Sequence, residues 1–130
     1  IYADILREIY MTQLVPTVGY LHEPGQKRFP LALDIAEIFK PIIVDKVILK
    51  LLNKNMLGEG HFSKLLKGCY LNEFGRKVFI KAYESCMEST ILHRRLRRKV
   101  SYRELIRFEC YKLIRHLIGD EPYKALRIWW

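Results

Sequence analysis

Residues 30–57 read PLALDIAEIFKPIIVDKVILKLLNKNML, and this stretch sets the expectation of a helical fold. Leu31, Ile35, Ile38 and Phe39 recur at helical spacing, while Asp34 and Glu37 interrupt the apolar run. Pro30 suits a first helical turn, where its missing N–H has no partner to satisfy. Pro41 breaks or kinks the pattern, because it removes an internal donor. A further helix over roughly 42–56 is very apolar and reads as core, and Gly58 and Gly60 end it.

Working outward gives the same class. Residues 2–14 place Ile5, Ile9 and the run from Met11 to Leu14 on one stripe, and Pro16 stops that helix. Residues 16–30 hold three of the five prolines and two of the seven glycines, so they read as a loop. Residues 61–67 suggest a short helical turn before Gly68. Residues 73–99 read as one long, bent helix that ends in the basic run HRRLRRK. Ser101 followed by Glu104 is a capping-box pattern that opens a last helix over 102–118, closed by Gly119. Few stretches alternate with period two, so no sheet is expected. The reading is therefore all-α: a compact multi-helix domain of about five to seven helices spanning residues 1–130.

The chain has 130 residues, half of them hydrophobic, enough for one core. Lys and Arg number 23 against 14 acids, a formal charge of +9. An excess of this size points to a polyanionic partner, nucleic acid or an anionic membrane surface. No run of eighteen apolar residues is present, and the first residues lack the layout of a signal peptide. Three cysteines, Cys69, Cys86 and Cys110, fit no zinc spacing and read as reduced, mostly buried thiols of a cytosolic protein.

Two constellations carry chemistry. Asp34 and Glu37 stand i and i+3 on one helix face, so their carboxylates can converge. Two acids beside each other among apolar residues repel unless a cation or donor lies between them. His22 precedes Asp34 across the Pro/Gly loop, and an imidazole with carboxylate oxygens can bind Mg²⁺ or Mn²⁺. The same spacing also fits a solvated face on which Lys40 pairs with Glu37. His61 has no acid cluster near it beyond Glu59 and reads as structural or surface.

The second constellation is basic. Residues 93–118 hold nine Lys/Arg against two Asp/Glu. On a helix, Arg94, Arg97 and Arg98 would share one face, with Arg95 and Lys99 on the next. Such rows suit phosphate contacts, and no motif for reading bases accompanies them. A solvated face that pairs with acids elsewhere is the alternative.

The stretch from Gly19 to Pro41 also resembles the signature of the CRISPR-associated spacer-acquisition endonuclease/integrase family. Gly19, Tyr20, Leu21 and His22 match a Gly-aromatic-Leu-His segment. Arg28, Leu31, Ala32, Leu33, Asp34, Glu37, Phe39 and Pro41 match the segment that follows, with Lys40 in place of an Arg. YLNEFGRKVFIKAYE at 70–84, HRRLRRKVSYRELIR at 93–107 and YKLIRHLIG at 111–119 extend the similarity.

The resemblance implies a protein with a small N-terminal β domain and a larger helical catalytic domain, of which residues 1–130 would be most of the second. It implies Mg²⁺ or Mn²⁺ held by His22, Glu37 and a Glu upstream of Ile1, with Asp34 near the metal or supporting it. Glu8 does not match that upstream position. The implied chemistry is phosphodiester cleavage and transesterification that inserts new spacers into a repeat array. A fragment without the upstream Glu would be weak or inactive. Arg28, Arg94, Arg95, Arg97, Arg98 and Lys99 would contact double-stranded or branched DNA. A homodimer and a small companion subunit would be the protein partners, in a prokaryotic cytoplasm with no membrane attachment. A non-catalytic helical nucleic-acid-binding module is the rival class. A pure assembly scaffold resting on the tail around Trp129 and Trp130 is the third.

Overall fold

The computed structural model describes residues 1–21, 29–65 and 67–128. Its order is α1 (Tyr2–Tyr10), α2 (Pro30–Phe39), a π-helical segment (Lys40–Asp45), α3 (Lys46–Asn53), a 3-10 turn (Glu59–His61), β1 (Phe62–Leu65), β2 (Gly68–Leu71), α4 (Glu73–Glu88), β3 (Thr90–His93), β4 (Arg98–Ser101) and α5 (Tyr102–Leu117). From Pro30 to Asn53 the helical segments run on without a break, so four helical rods and two small sheets make the fold.

The all-α expectation fails. β1 pairs antiparallel with β2, and β3 pairs antiparallel with β4, from Thr90 opposite Ser101 to His93 opposite Arg98. The helix expected over 73–99 ends at Glu88, and its basic end is the turn of the second hairpin. The reason is physical. Arg94, Arg95, Arg97, Arg98 and Lys99 on one helix would stack like charges three and four residues apart, which is destabilising. A hairpin fans them into solvent and lets β-branched Thr90, Ile91 and Val100 form the ladder. Val100 is fully buried and Ile91 packs against the core, so the strand has one inward face. Arg97 takes the left-handed conformation, φ +52°, that closes this turn. The helical turn expected over 61–67 is likewise replaced, by the 3-10 turn and the first hairpin.

Other local expectations hold. Pro30 opens α2 in its first turn. Ser101 Oγ accepts from the Glu104 N–H at 3.1 Å, and Glu104 Oε2 accepts from the Ser101 N–H at 2.8 Å, so the capping box starts α5. Pro41 cannot donate to the Glu37 carbonyl, and at that point the helix widens into the π segment instead of stopping.

The core is built from α1, α2, α5 and the π segment. Ile5, Ile9, Ile35, Phe39, Ile43 and Ile106 are buried there, with Met87 from α4 and Val100 from β4. A smaller cluster of Val47, Leu51 and Leu57 lies under α4. Two buried acids on this frame have basic partners within ion-pair distance. Glu8 on α1 pairs with Arg107 Nε on α5 at 2.8 Å, and Glu109 pairs with Lys112 Nζ at 2.7 Å. Residues 118–128 run back along α5. The Lys112 ammonium donates to the Lys124 carbonyl at 2.8 Å, and the Leu126 N–H donates to Glu109 Oε1 at 3.0 Å.

Candidate functional site

Asp34 and Glu37 do lie on one side of α2, in unlike surroundings. Asp34 is 8 % exposed, and its Oδ2 accepts the backbone N–H groups of Tyr20 at 2.5 Å and Leu21 at 3.1 Å. The carboxylate therefore pins the chain immediately before His22 to α2. Glu37 stands one turn on, with its side chain half exposed, and its Oε1 receives the Lys40 ammonium at 2.9 Å. The ion pair foreseen for a solvated face thus forms. Lys40 also sits over the Tyr2 ring, 5.2 Å from its centre. Hydrogen bonds to Tyr2 and Glu37 raise the Lys40 ammonium above its ordinary value, so it stays charged.

Both carboxylates line one cavity of about 300 Å³. Tyr20 and Leu21 form one wall, Ile35 and Ile38 another, and Leu113 and His116 of α5 with Tyr123 and Ala125 of the tail close it. His116 was not singled out in the sequence: a lone histidine among the basic residues of an amphipathic helix gives no signal. His22 and Arg28 lie outside the described residues. Among the described residues, no group of three or more His, Cys, Asp or Glu side chains is close enough to hold a metal ion. What those residues contribute is two carboxylates on a mostly apolar cavity, hard oxygen donors of the kind Mg²⁺ and Mn²⁺ prefer. That donor set fits part of such a site.

The basic residues meet at the second hairpin. Arg94, Arg95, Arg97, Arg98 and Lys99 are all exposed. Arg98 pairs with Glu104 at 3.2 Å and lies over Phe108 of α5, 6.0 Å from the ring centre. That contact and the Ser101 N–H hold the Glu104 carboxyl below its ordinary range, the backbone donor having the larger effect. Arg95 reaches Glu121 at 3.7 Å, while Arg94, Arg97 and Lys99 form no ion pair among the described residues. The His93 ring packs edge-on against Phe108, which folds the hairpin down along α5. Between the hairpin and the tail runs a groove of about 610 Å³ lined by Arg95, Lys112, Arg115, Lys124 and Arg127 with Phe108 and Tyr111. Ala125 borders both this groove and the carboxylate cavity, so the two are neighbours across the tail.

His61 is structural, as expected: its Nδ1 accepts the Gly58 N–H at 3.0 Å. The cysteines are free, with Cys110 buried, Cys86 half-buried and Cys69 exposed. No helix among the described residues is long and apolar enough to cross a membrane.

The fold that carries these carboxylates and cations is one that known proteins share. A solved casposase, described as bound to an integration product, has the same fold at a TM-score of 0.82 and 19 % identity, covering 95 % of this chain and 36 % of its own. A solved Cas1 protein from Thermotoga maritima superposes at a TM-score of 0.87 with 45 % identity, over 94 % of this chain and 37 % of that one. The CRISPR-associated endonuclease Cas1 of Clostridium perfringens is 60 % identical over 129 residues, 99 % of this chain and 39 % of the relative. The Cas1 endonuclease of Pyrococcus horikoshii is 48 % identical over 129 residues, 99 % of this chain and 40 % of the relative. The model of the family described as CRISPR associated protein Cas1 matches residues 1–85. The chain belongs to the Cas1 family. It spans about two fifths of the length of these curated relatives.

Proposed function

We propose that this chain carries part of the active centre of a metal-dependent DNA endonuclease and integrase of CRISPR adaptation. The observation that carries the reading is the adjacency of the carboxylate cavity and the basic groove, on a chain of the Cas1 family. His22 and Glu37 would hold Mg²⁺ or Mn²⁺. When bound, the ion polarises a phosphoryl oxygen and steadies the leaving oxygen. Asp34 holds the segment that leads into His22 against α2 through the Tyr20 and Leu21 N–H groups. Arg94, Arg97 and Lys99 are the cations best placed to take backbone phosphates of double-stranded or branched DNA, with Arg95 and Arg98 beside them; Arg28 would add a further phosphate contact. Ile35, Ile38 and Leu113 give the cavity apolar walls beside the reacting phosphate. In this reading the reaction is attack of a DNA 3′-hydroxyl on a phosphodiester during spacer insertion, or attack of water during cleavage. A second copy and a small companion subunit complete the assembly.

The test uses the full-length protein on branched DNA with Mn²⁺. His22→Ala and Glu37→Ala should each abolish cleavage and strand joining while DNA affinity changes by less than about threefold. Wild-type rates in either variant overturn the assignment. Residues 1–130 alone should cleave poorly, and strong His22-dependent cleavage by them would overturn the expectation of an incomplete ligand set.

A second reading rests on the Lys40–Glu37 ion pair: Glu37 serves a solvated face, and the domain binds DNA without cutting it. Calorimetric Mn²⁺ titration of the full-length protein discriminates, since this reading expects no heat that His22→Ala removes.

A further inference from the structure

The sequence motif around Asp34 and Glu37 does not include His116, yet the fold brings His116 to their cavity from α5. Its Nδ1 accepts the Tyr123 N–H at 3.2 Å. A ring nitrogen that accepts carries no proton, so the neutral ring bears its hydrogen on Nε2. The tail bond thus selects the tautomer and leaves Nε2 as the donor of a ring that lines the cavity. Glu109, on the same helix, anchors the tail through the Tyr123 hydroxyl and the Leu126 N–H, so the element that selects the tautomer is itself held.

We infer that His116 donates from Nε2 to a phosphate oxygen of the DNA strand entering the carboxylate cavity. The cavity's two carboxylates, Asp34 and Glu37, would repel a phosphodiester, which needs a donor opposite them. The basic groove across Ala125 offers the strand its approach. His116 is in these terms a substrate-positioning donor, and the inference rests on the reading of the cavity given above.

Two near-isosteres separate this role from a merely structural one. In His116→Asn, Oδ1 stands in for Nδ1, so the tail bond is kept and the Nε2 donor is lost. In His116→Gln, the amide nitrogen stands in for Nε2, so the donor is kept. The assay is affinity of the full-length protein for a short branched duplex, by fluorescence anisotropy in EDTA, with thermal unfolding alongside. The expected result is about tenfold weaker binding in His116→Asn and His116→Ala, the loss of one hydrogen bond to a charged group, with His116→Gln within about twofold of wild type. His116→Asn should keep the wild-type unfolding midpoint. If His116→Asn binds like wild type, or His116→Gln is as weak as His116→Ala, the inference is overturned and His116 is a tail latch. If the wild-type protein itself fails to bind branched DNA, the reading of the cavity falls and the inference with it.

Discussion

Asp34 shows how much one carboxylate can organise. It receives the backbone N–H groups of Tyr20 and Leu21 and so ties that segment to α2. Asp34→Ala leaves both donors without their acceptor at the edge of the core, and should cost about 2–3 kcal/mol in urea unfolding of the chain. Asp34→Asn keeps one acceptor oxygen and should cost less, and an unchanged urea midpoint in Asp34→Ala would show that the carboxylate does not hold the segment. Cys110 makes a second prediction at this scale. Burial, reinforced by the charges of Glu8 and Glu109, pushes its thiol up to about 12 from an ordinary value of 9.0. The folded chain therefore keeps the proton that the unfolded chain gives up. The thiol's contribution is intact below pH 9.0 and is lost as pH rises from there toward about 12. Urea midpoints should fall more steeply above pH 9 in the wild type than in Cys110→Ala, and parallel curves would refute this. Exposed Cys69 should alkylate in the native protein well before Cys110.

Elements are joined at two tight points. Gly75, in the first turn of α4, lies so close to the 3-10 turn that an added Cβ would come within 2.3 Å of the His61 carbonyl and 2.8 Å of Leu71 Cδ2. Backbone cannot yield as a flexible side chain does, so Gly75→Ala should destabilise by roughly 2 kcal/mol in thermal unfolding despite alanine's better helix propensity. A gain in stability would mean that α4 and the turn separate freely. The second point is the hairpin turn. Arg97 holds a positive φ that glycine adopts without strain. Arg97→Gly should leave stability unchanged or raise it by about 1 kcal/mol while weakening DNA affinity at low salt. Loss of stability would place the arginine side chain, not the turn, at the root of the hairpin.

The whole molecule concentrates its positive charge along the hairpin and α5, and the carboxylate cavity lies at the far side of the tail. If a DNA backbone follows that path, affinity should depend steeply on salt. Replacing Arg94, Arg97 and Lys99 together by Gln should reduce the slope of log affinity against log salt by about two to three, near 0.9 per lost phosphate contact. An unchanged slope would place the DNA on another surface. Because these side chains make no ion pair among the described residues, the triple variant should unfold at the wild-type temperature.

Much of this was legible in the order of residues. The start of α2 at Pro30, the capping box of Ser101 and Glu104, the apolar stripes of α1 and α5 and the i, i+3 spacing of Asp34 and Glu37 are all local, and local rules act through neighbours three and four residues apart. The Gly-Tyr-Leu-His and Leu-Ala-Leu-Asp segments also pointed to the family to which the chain belongs. Tertiary structure decided the rest. Whether residues 89–101 continue a helix or turn back as a hairpin depends on burying Val100 and Ile91 against the core and on seating His93 and Arg98 on Phe108, contacts no local pattern contains. The roles of the two acids diverged for the same reason: Asp34 found backbone donors from residues 20 and 21, and Glu37 found Lys40. His116 reached their cavity only because α5 packs across α2 and the tail folds back to hold its ring. Sequence spacing sets which side chains share a face, whereas packing between distant elements sets what that face meets.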